Sequence, residues 1–358
     1  MTGRERVNRA MSGQDQDRVP FTETVWPQTF QRWAGEGGPA DYATLVGRLD
    51  SDFHPTITWI IPKPLGADHQ EVVSEDEQTR LVRDPFGATL RIWKARAGTP
   101  EHHGWECDSP EIWKSKFRPA LESVAPDFDR GRCVASAAEG ARSGRWRNAS
   151  TLEPFEFLRK LLGDEATMIA LAEEPEWVRE ISEVSTTVTL AHCQALLDAG
   201  VELDGLWVYG DMAFKTGTFC SPTMYREIVW PQHRRFAEWA HARGLKAIYH
   251  TDGDVRRVVG DFIEAGFDSL QPLEAKASMD IRELAPQIGS RISLFGNMDV
   301  MVYAFGSEDD IRAEVESKMA AGKATGRYIF HSDHSIPPQV SWDRYQFILS
   351  LYRQLAAY

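Results

Sequence analysis

A chain of 358 residues with a formal net charge of −13 and 42% apolar residues carries enough apolar and aromatic material to fill a large core, and its composition gives no sign of disorder. The negative balance argues against nonspecific attraction to nucleic acid or to an anionic membrane, although a local basic pocket stays possible. The four cysteines, Cys107, Cys133, Cys193 and Cys220, form no CxxC pair and no metal-ligand spacing, so neither a disulfide framework nor a thiolate zinc cluster is expected.

The opening stretch MTGRERVNRAMSG is charged, lacks the apolar core of a signal peptide, and reads as a short helix over 2–11. No apolar run is long enough to cross a bilayer, and a soluble, unprocessed, cytoplasmic protein is expected. The run VPFTETVW at 19–26 reads as a first strand with Glu23 near a pocket. TRLVRDPFGATLRIWK at 79–94 then places two β-rich runs around Asp84-Pro85-Phe86-Gly87, an antiparallel hairpin with a turn longer than two residues. Residues 99–132 read as loop and short helix, with a helix start at Pro110.

From there the pattern becomes regular. Helices are expected at 154–162, 175–199, 222–243, 255–265, 281–288, 307–321 and 342–355, with strands at 206–210, 246–250, 268–271, 292–296 and 327–330. Glycines at 200, 244 and 266 supply the left-handed stops. Short strands alternating with helices predict an α/β (β/α)8 TIM barrel, and 358 residues exceed the ~250 typical of one. A hairpin has no place inside a βα repeat. The expectation is therefore one decorated barrel over 1–358, with an insertion over about 75–132.

Barrels of this kind put their chemistry at the carboxyl ends of the strands, and polar groups follow strand after strand. His250-Thr251-Asp252-Gly253 offers imidazole nitrogen and carboxylate oxygen, donors that suit Zn²⁺ or a similar divalent ion. The plainer reading makes Asp252 a helix cap. His331-Ser332-Asp333-His334 ends the last strand, where barrel closure would bring His334 toward His250. Glu274 reads either as a third ligand or base, or as a loop carboxylate paired with Lys276. Asp211, Asn297 and Asp299 fit either substrate contact or helix capping. Trp26, Trp207, Phe214 and Phe219 read as core or wall. No GxGxxG between strand and helix, no GxxxxGK[ST] and no GxSxG is present, so dinucleotide, P-loop and serine-hydrolase readings lose their main support.

The segments YGD at 209–211, SPTMYREIVWP at 221–231, HTDGDV at 250–255, EAGFDSLQPLEAKASMDI at 264–281, GNMD at 296–299 and SDHSIPPQV at 332–340 together resemble the uroporphyrinogen decarboxylase superfamily. That superfamily also holds methylcobamide:coenzyme M methyltransferases and corrinoid-linked O-demethylases. True porphyrinogen decarboxylases carry an Arg-rich segment near the N-terminus, and RVPFTETVWPQTFQRW stands in its place here. Coenzyme M methyltransferases write their zinc site as His-x-Cys with a distant Cys. Here His250 matches, Asp252 replaces the first Cys and His334 falls near the second.

The resemblance implies metal-dependent methyl transfer between a small methylated compound and a corrinoid. The metal ligands would be His250, Asp252, Glu274 and His334, with zinc the expected ion. His334 and Asp211 would be catalytic, and Glu23, Asn297, Asp299 and His331 would contact substrate. No Asp-x-His-x-x-Gly corrinoid segment is visible, so the corrinoid would arrive on a partner protein. The alternative is a metal-free decarboxylase or lyase acting on an acidic, electron-rich small molecule, with Asp211 or Asp252 stabilising a cation and a histidine donating the proton. A third reading is a silent binding subunit of a methyltransferase system.

Overall fold

A computed structural model describes residues 1–95 and 100–358. Its central sheet is parallel and seven-stranded. In sheet order the strands are β1 (Trp59–Ile60), β6 (Asn148–Leu152), β7 (Gly205–Tyr209), β10 (Lys246–Thr251), β11 (Ser269–Pro272), β12 (Ser293–Phe295) and β13 (Tyr328–Ile329). The eighth stave is the Val19–Val25 segment, which appears only as bridges. Phe21 pairs with Phe330 in parallel, the Phe330 N–H donates to the Pro20 carbonyl at 2.8 Å, and the Asp52 N–H donates to the Phe21 carbonyl at 2.8 Å. Phe53 bridges in parallel to Trp146, two residues before β6. The sheet thereby closes into the expected barrel, with its first stave linking β13 to the strand that follows Asp52.

Alternation along the strands divides the side chains between two cores. In β7 and β10, Leu206, Val208, Ala247 and Tyr249 face the surrounding helices, whereas Trp207 and Ile248 fill the barrel interior with Phe53, Trp146, Phe295 and Ile329. Helix Gly3–Ser12 seals the lower end of this interior core through Val7, Ala10 and Met11. One turn higher, the same inward rows deliver Tyr209 and His250 to the mouth.

The hairpin of Thr79–Arg83 (β3) and Ala88–Trp93 (β4) is present, but it is the centre of a larger unit. Glu71–Glu75 (β2) and Glu101–Trp105 (β5) extend it to a four-stranded antiparallel sheet that starts before residue 75. Thr99, at the start of the expected loop, lies outside the described residues. A two-stranded ribbon of Ala213–Phe214 (β8) and Gly217–Thr218 (β9) follows β7. The expected helix 222–243 is interrupted by a π-helical turn over Tyr225–Val229, and helix 255–265 starts only at Val259. Helices Pro27–Gly35, Tyr42–Leu49, Arg130–Arg142, Asp164–Glu173 and Val300–Phe305 were not anticipated. Among the described residues no helix is long and apolar enough to cross a membrane.

Candidate active site

Four strand ends meet at the barrel mouth. His250 lies near the end of β10, level with Tyr209 on one neighbour and Gln271 on the other. Its ring stacks on Tyr209 with centroids 4.3 Å apart and planes 19° apart. Nδ1 is hydrogen-bonded to Gln271 Oε1, an acceptor, which assigns the proton to Nδ1 and leaves the lone pair on Nε2. That nitrogen lies 3.6 Å from Asp211 Oδ1, is buried, and has no hydrogen-bond partner among the described residues. Burial alone would lower the imidazole pKa, but the Asp211 and Asp252 carboxylates outweigh it and the pKa is raised.

Asp211 follows β7 and accepts from the Tyr209 hydroxyl at 3.1 Å and from the Asp252 N–H at 3.0 Å. Burial opposes its ionisation, yet His250 and these donors hold the carboxyl down at about 2. Asp252 is in the opposite situation. Burial, reinforced by Asp211, raises its pKa, and its Oδ1 is buried with no hydrogen-bond partner among the described residues. Its Oδ2 stands 3.6 Å from His334 Nε2. Glu274 accepts from the Gly253 N–H at 2.9 Å. Gly253 adopts a left-handed φ of +85°, and a Cβ there would meet the Ala213 carbonyl oxygen at 2.5 Å, so only glycine makes this turn.

Asp333 lies behind His334, its Oδ1 3.5 Å from an Nδ1 that has no hydrogen-bond partner among the described residues, and its carboxylate is the main reason the His334 pKa is raised. Asp333 is fully buried, accepting from Lys276 Nζ at 2.6 Å and from the Ala275 and Val300 N–H groups. Burial works against its charge, but His334 and Lys276 hold it at about 2. Lys276 thus pairs with Asp333 and Asp299, not with Glu274.

The donor atoms form two triads that share Asp252: Asp211, His250 and Asp252, and Asp252, Glu274 and His334, each within 4.8 Å. His250 and His334 approach one another only through that shared carboxylate. Imidazole and carboxylate donors with orphaned buried atoms, His250 Nε2 and Asp252 Oδ1, fit a divalent cation of the zinc type.

This cluster opens onto a cavity of about 420 Å³ whose wall includes Trp26, Trp59, Trp207, Tyr209 and His331. Phe214 and Phe219 do not line it. Trp26 and Trp59 are half exposed at its rim. His331 is buried, 3.3 Å from Thr24 Oγ1, and burial lowers its pKa to about 4, so it is neutral at pH 7. Glu23 sits behind it at 3.5 Å, accepting from Ser332 Oγ at 2.6 Å, the Thr24 N–H at 3.0 Å and Tyr345 Oη at 3.2 Å. Complete burial pushes this carboxyl up to about 8.

Asn297 and Asp299 stand away from the cavity. The Asn297 amide is spent on backbone, accepting from the Ile281 N–H and donating to the Leu273 and Met279 carbonyls, while Asp299 caps helix Val300–Phe305. Sequence reasoning missed Gln271, the Lys276–Asp333 pair and a buried relay behind β7. In that relay Glu153 Oε2 is 3.0 Å from His233 Nε2, and His233 Nδ1 is 3.0 Å from Tyr225 Oη. Glu153 immediately before Pro154 was a readable capping signal.

A family profile described as Uroporphyrinogen decarboxylase (URO-D) matches residues 153–355. A uroporphyrinogen decarboxylase of Saccharopolyspora erythraea is 30% identical over 183 residues, 49% of this chain, and the match spans about half (48%) of that relative's length. Among solved structures, a methyltransferase from Methanosarcina mazei superposes over 99% of both chains with a TM-score of 0.65 at 15% identity, a likeness of fold.

Proposed function

From the premise that the chain belongs to the uroporphyrinogen decarboxylase family, we propose that it is a metal-dependent methyltransferase of the O-demethylase kind, passing a methyl group from a small methylated compound to a corrinoid on a partner protein. One observation carries the reading: His250 Nε2 and Asp252 Oδ1 are buried with no hydrogen-bond partner among the described residues, and the two side chains offer ligand atoms within 4.8 Å of one another at the barrel mouth. Asp252, shared by both triads, would hold the ion with His250 on one side and Glu274 and His334 on the other. Bound there, a divalent ion would supply Lewis acidity toward the heteroatom that loses or accepts the methyl group.

The chain's own residues do the rest. Gln271 fixes the His250 tautomer, Tyr209 holds its ring plane, and Asp211 keeps a negative charge beside it. Trp59 and Tyr209, edge to face at 5.9 Å, wall the approach. The full-length likeness to a methyltransferase fold favours this branch, as does the carboxylate and imidazole donor set.

A second reading has its own support. His334 holds a proton above the ordinary histidine range, braced by Asp333, which suits a metal-free lyase that donates a proton. Metal content of wild type and His250→Ala, measured by plasma mass spectrometry beside methylation of reduced free cobalamin, separates the two. About one zinc per chain, lost with activity in the variant, is the expected result. Activity that survives both chelation and His250→Ala would sink the methyltransferase reading.

A further inference from the structure

The inner end of the cavity is lined by residues that the metal cluster does not use. Asn148 and Ser150 point inward from β6, on the opposite side of the strand from Ala149, which joins the outer core. Both are only 2% exposed. The Asn148 Nδ2 group donates to Thr56 Oγ1 at 3.2 Å and to Ser150 Oγ at 3.3 Å. Each hydroxyl thus accepts one hydrogen bond and keeps its own hydrogen to give. Among the described residues no side chain takes those hydrogens, and none donates to the Asn148 Oδ1 oxygen. The cavity thus ends in two hydroxyl donors and one amide acceptor.

Two further features limit what can bind there. Register places Ser150 beside Trp207, two residues before the level shared by Tyr209 and His250, a separation of about 7 Å along the strands at ~3.3 Å per residue. That is about the span from a ring methoxy group to a substituent across the ring. In addition, none of the described residues lining the cavity is Lys or Arg, whereas Asp252 and Asp333 are both among them. His54, the remaining imidazole on that wall, is bonded through Nε2 to Ser136 Oγ at 2.9 Å. A carboxylate placed at the inner end would be buried beside an amide oxygen with no cation to pair it.

We propose that Thr56, Asn148 and Ser150 form a specificity pocket for an uncharged hydroxyl on a methoxylated aromatic ring, selecting a neutral phenol ether over an acidic one. The ring lies along Trp59 and Tyr209 with its methoxy group at the His250–Asp252 level, and its hydroxyl donates to Asn148 and accepts from Ser150 or Thr56. This substrate class rests on the methyl-transfer reading.

Binding alone tests it, by quenching of tryptophan fluorescence in the full chain at pH 7 with no cobalamin supplied. The probes are 4-methoxyphenol, 4-methoxybenzoate and methoxybenzene. Wild type should bind the phenol about tenfold or more tightly than the benzoate. Ser150→Ala and Asn148→Ala should each weaken the phenol about fivefold or more while leaving methoxybenzene within about twofold, a control that the cavity is intact. Equal or tighter binding of the benzoate overturns the proposal, as does absence of saturable phenol binding, or a phenol affinity that neither variant moves. Should the selectivity hold while no methyl transfer is found, the functional reading fails and the pocket stands. Demethylation of the benzoate in preference to the phenol would bring down the pocket alone.

Discussion

At the scale of single residues, Glu23 joins a buried site to a pH dependence. Its pKa is raised to about 8 by complete burial, so the fold binds a proton there that the unfolded chain releases near 4.5. A raised folded pKa contributes stability that is fully present below the unfolded value and is lost as pH rises through the folded one. Urea unfolding should therefore show stability falling between about pH 5 and pH 8, and Glu23→Gln should remove that slope. Gly210 gives a steric counterpart. A Cβ there would fall 2.0 Å from Glu153 Cγ in a packed interior, so Gly210→Ala should cost about 1–3 kcal/mol in the same measurement. Protons and metal should also compete at the mouth. Because the pKa values of His250 and His334 are both raised, zinc retention in dialysis should weaken as pH falls below neutrality, and pH-independent retention would count against these ligands. His250, Asp252 and His334 were legible because each ends or follows a strand with clear β-run composition. Gln271 and the pairing of Asp333 with Lys276 were not, because their importance lies in which neighbour they face across the barrel, which spacing along one strand does not encode.

Individual elements were legible where local chemistry and tertiary packing agree. Helices Pro154–Leu162, Ile281–Ile288 and Trp342–Leu355 fall at their expected bounds, each opened by a carboxylate or hydroxyl that accepts from the first turn. Helix Pro27–Gly35 has Trp26 at its cap with no side-chain bond, and Asp164–Glu173 has Gly163, so neither announces itself. The cap of Val300–Phe305 is Asp299, a residue whose sequence context fitted substrate contact as well as helix capping. The antiparallel sheet was half seen because its outer strand Glu71–Glu75 is exposed throughout and lacks the apolar alternation that marks a half-buried strand. Glu153 matters most at this scale, since it caps its helix through the Phe155 and Glu156 N–H groups and also bonds His233. Glu153→Ala should lower stability by about 2 kcal/mol or more in chemical denaturation, and Glu153→Gln, which keeps an acceptor for the cap, should lose less.

For the molecule as a whole, the barrel was readable from the rhythm of strands and helices, but the way it shuts was not. Its first stave has no ladder of its own, and closure depends on Asp52. This buried carboxylate accepts from Arg18, Arg6 and the Phe21 N–H, while its backbone carbonyl accepts from the Trp146 N–H. Asp52→Ala would strand guanidinium charge in the seam. A loss of about 3–5 kcal/mol in equilibrium unfolding is the expected outcome, and an effect under about 1 kcal/mol would show that the seam is held by packing instead.

The same seam sets an order of events during synthesis. The stave at Phe21 leaves the ribosome long before its partner Phe330. Until then the nascent chain holds an open sheet with two unsatisfied edges, a species prone to pairing with other chains. A chaperone-bound pool that disappears once residues beyond Phe330 have emerged would be the cellular trace of a cylinder that only its final stave can close.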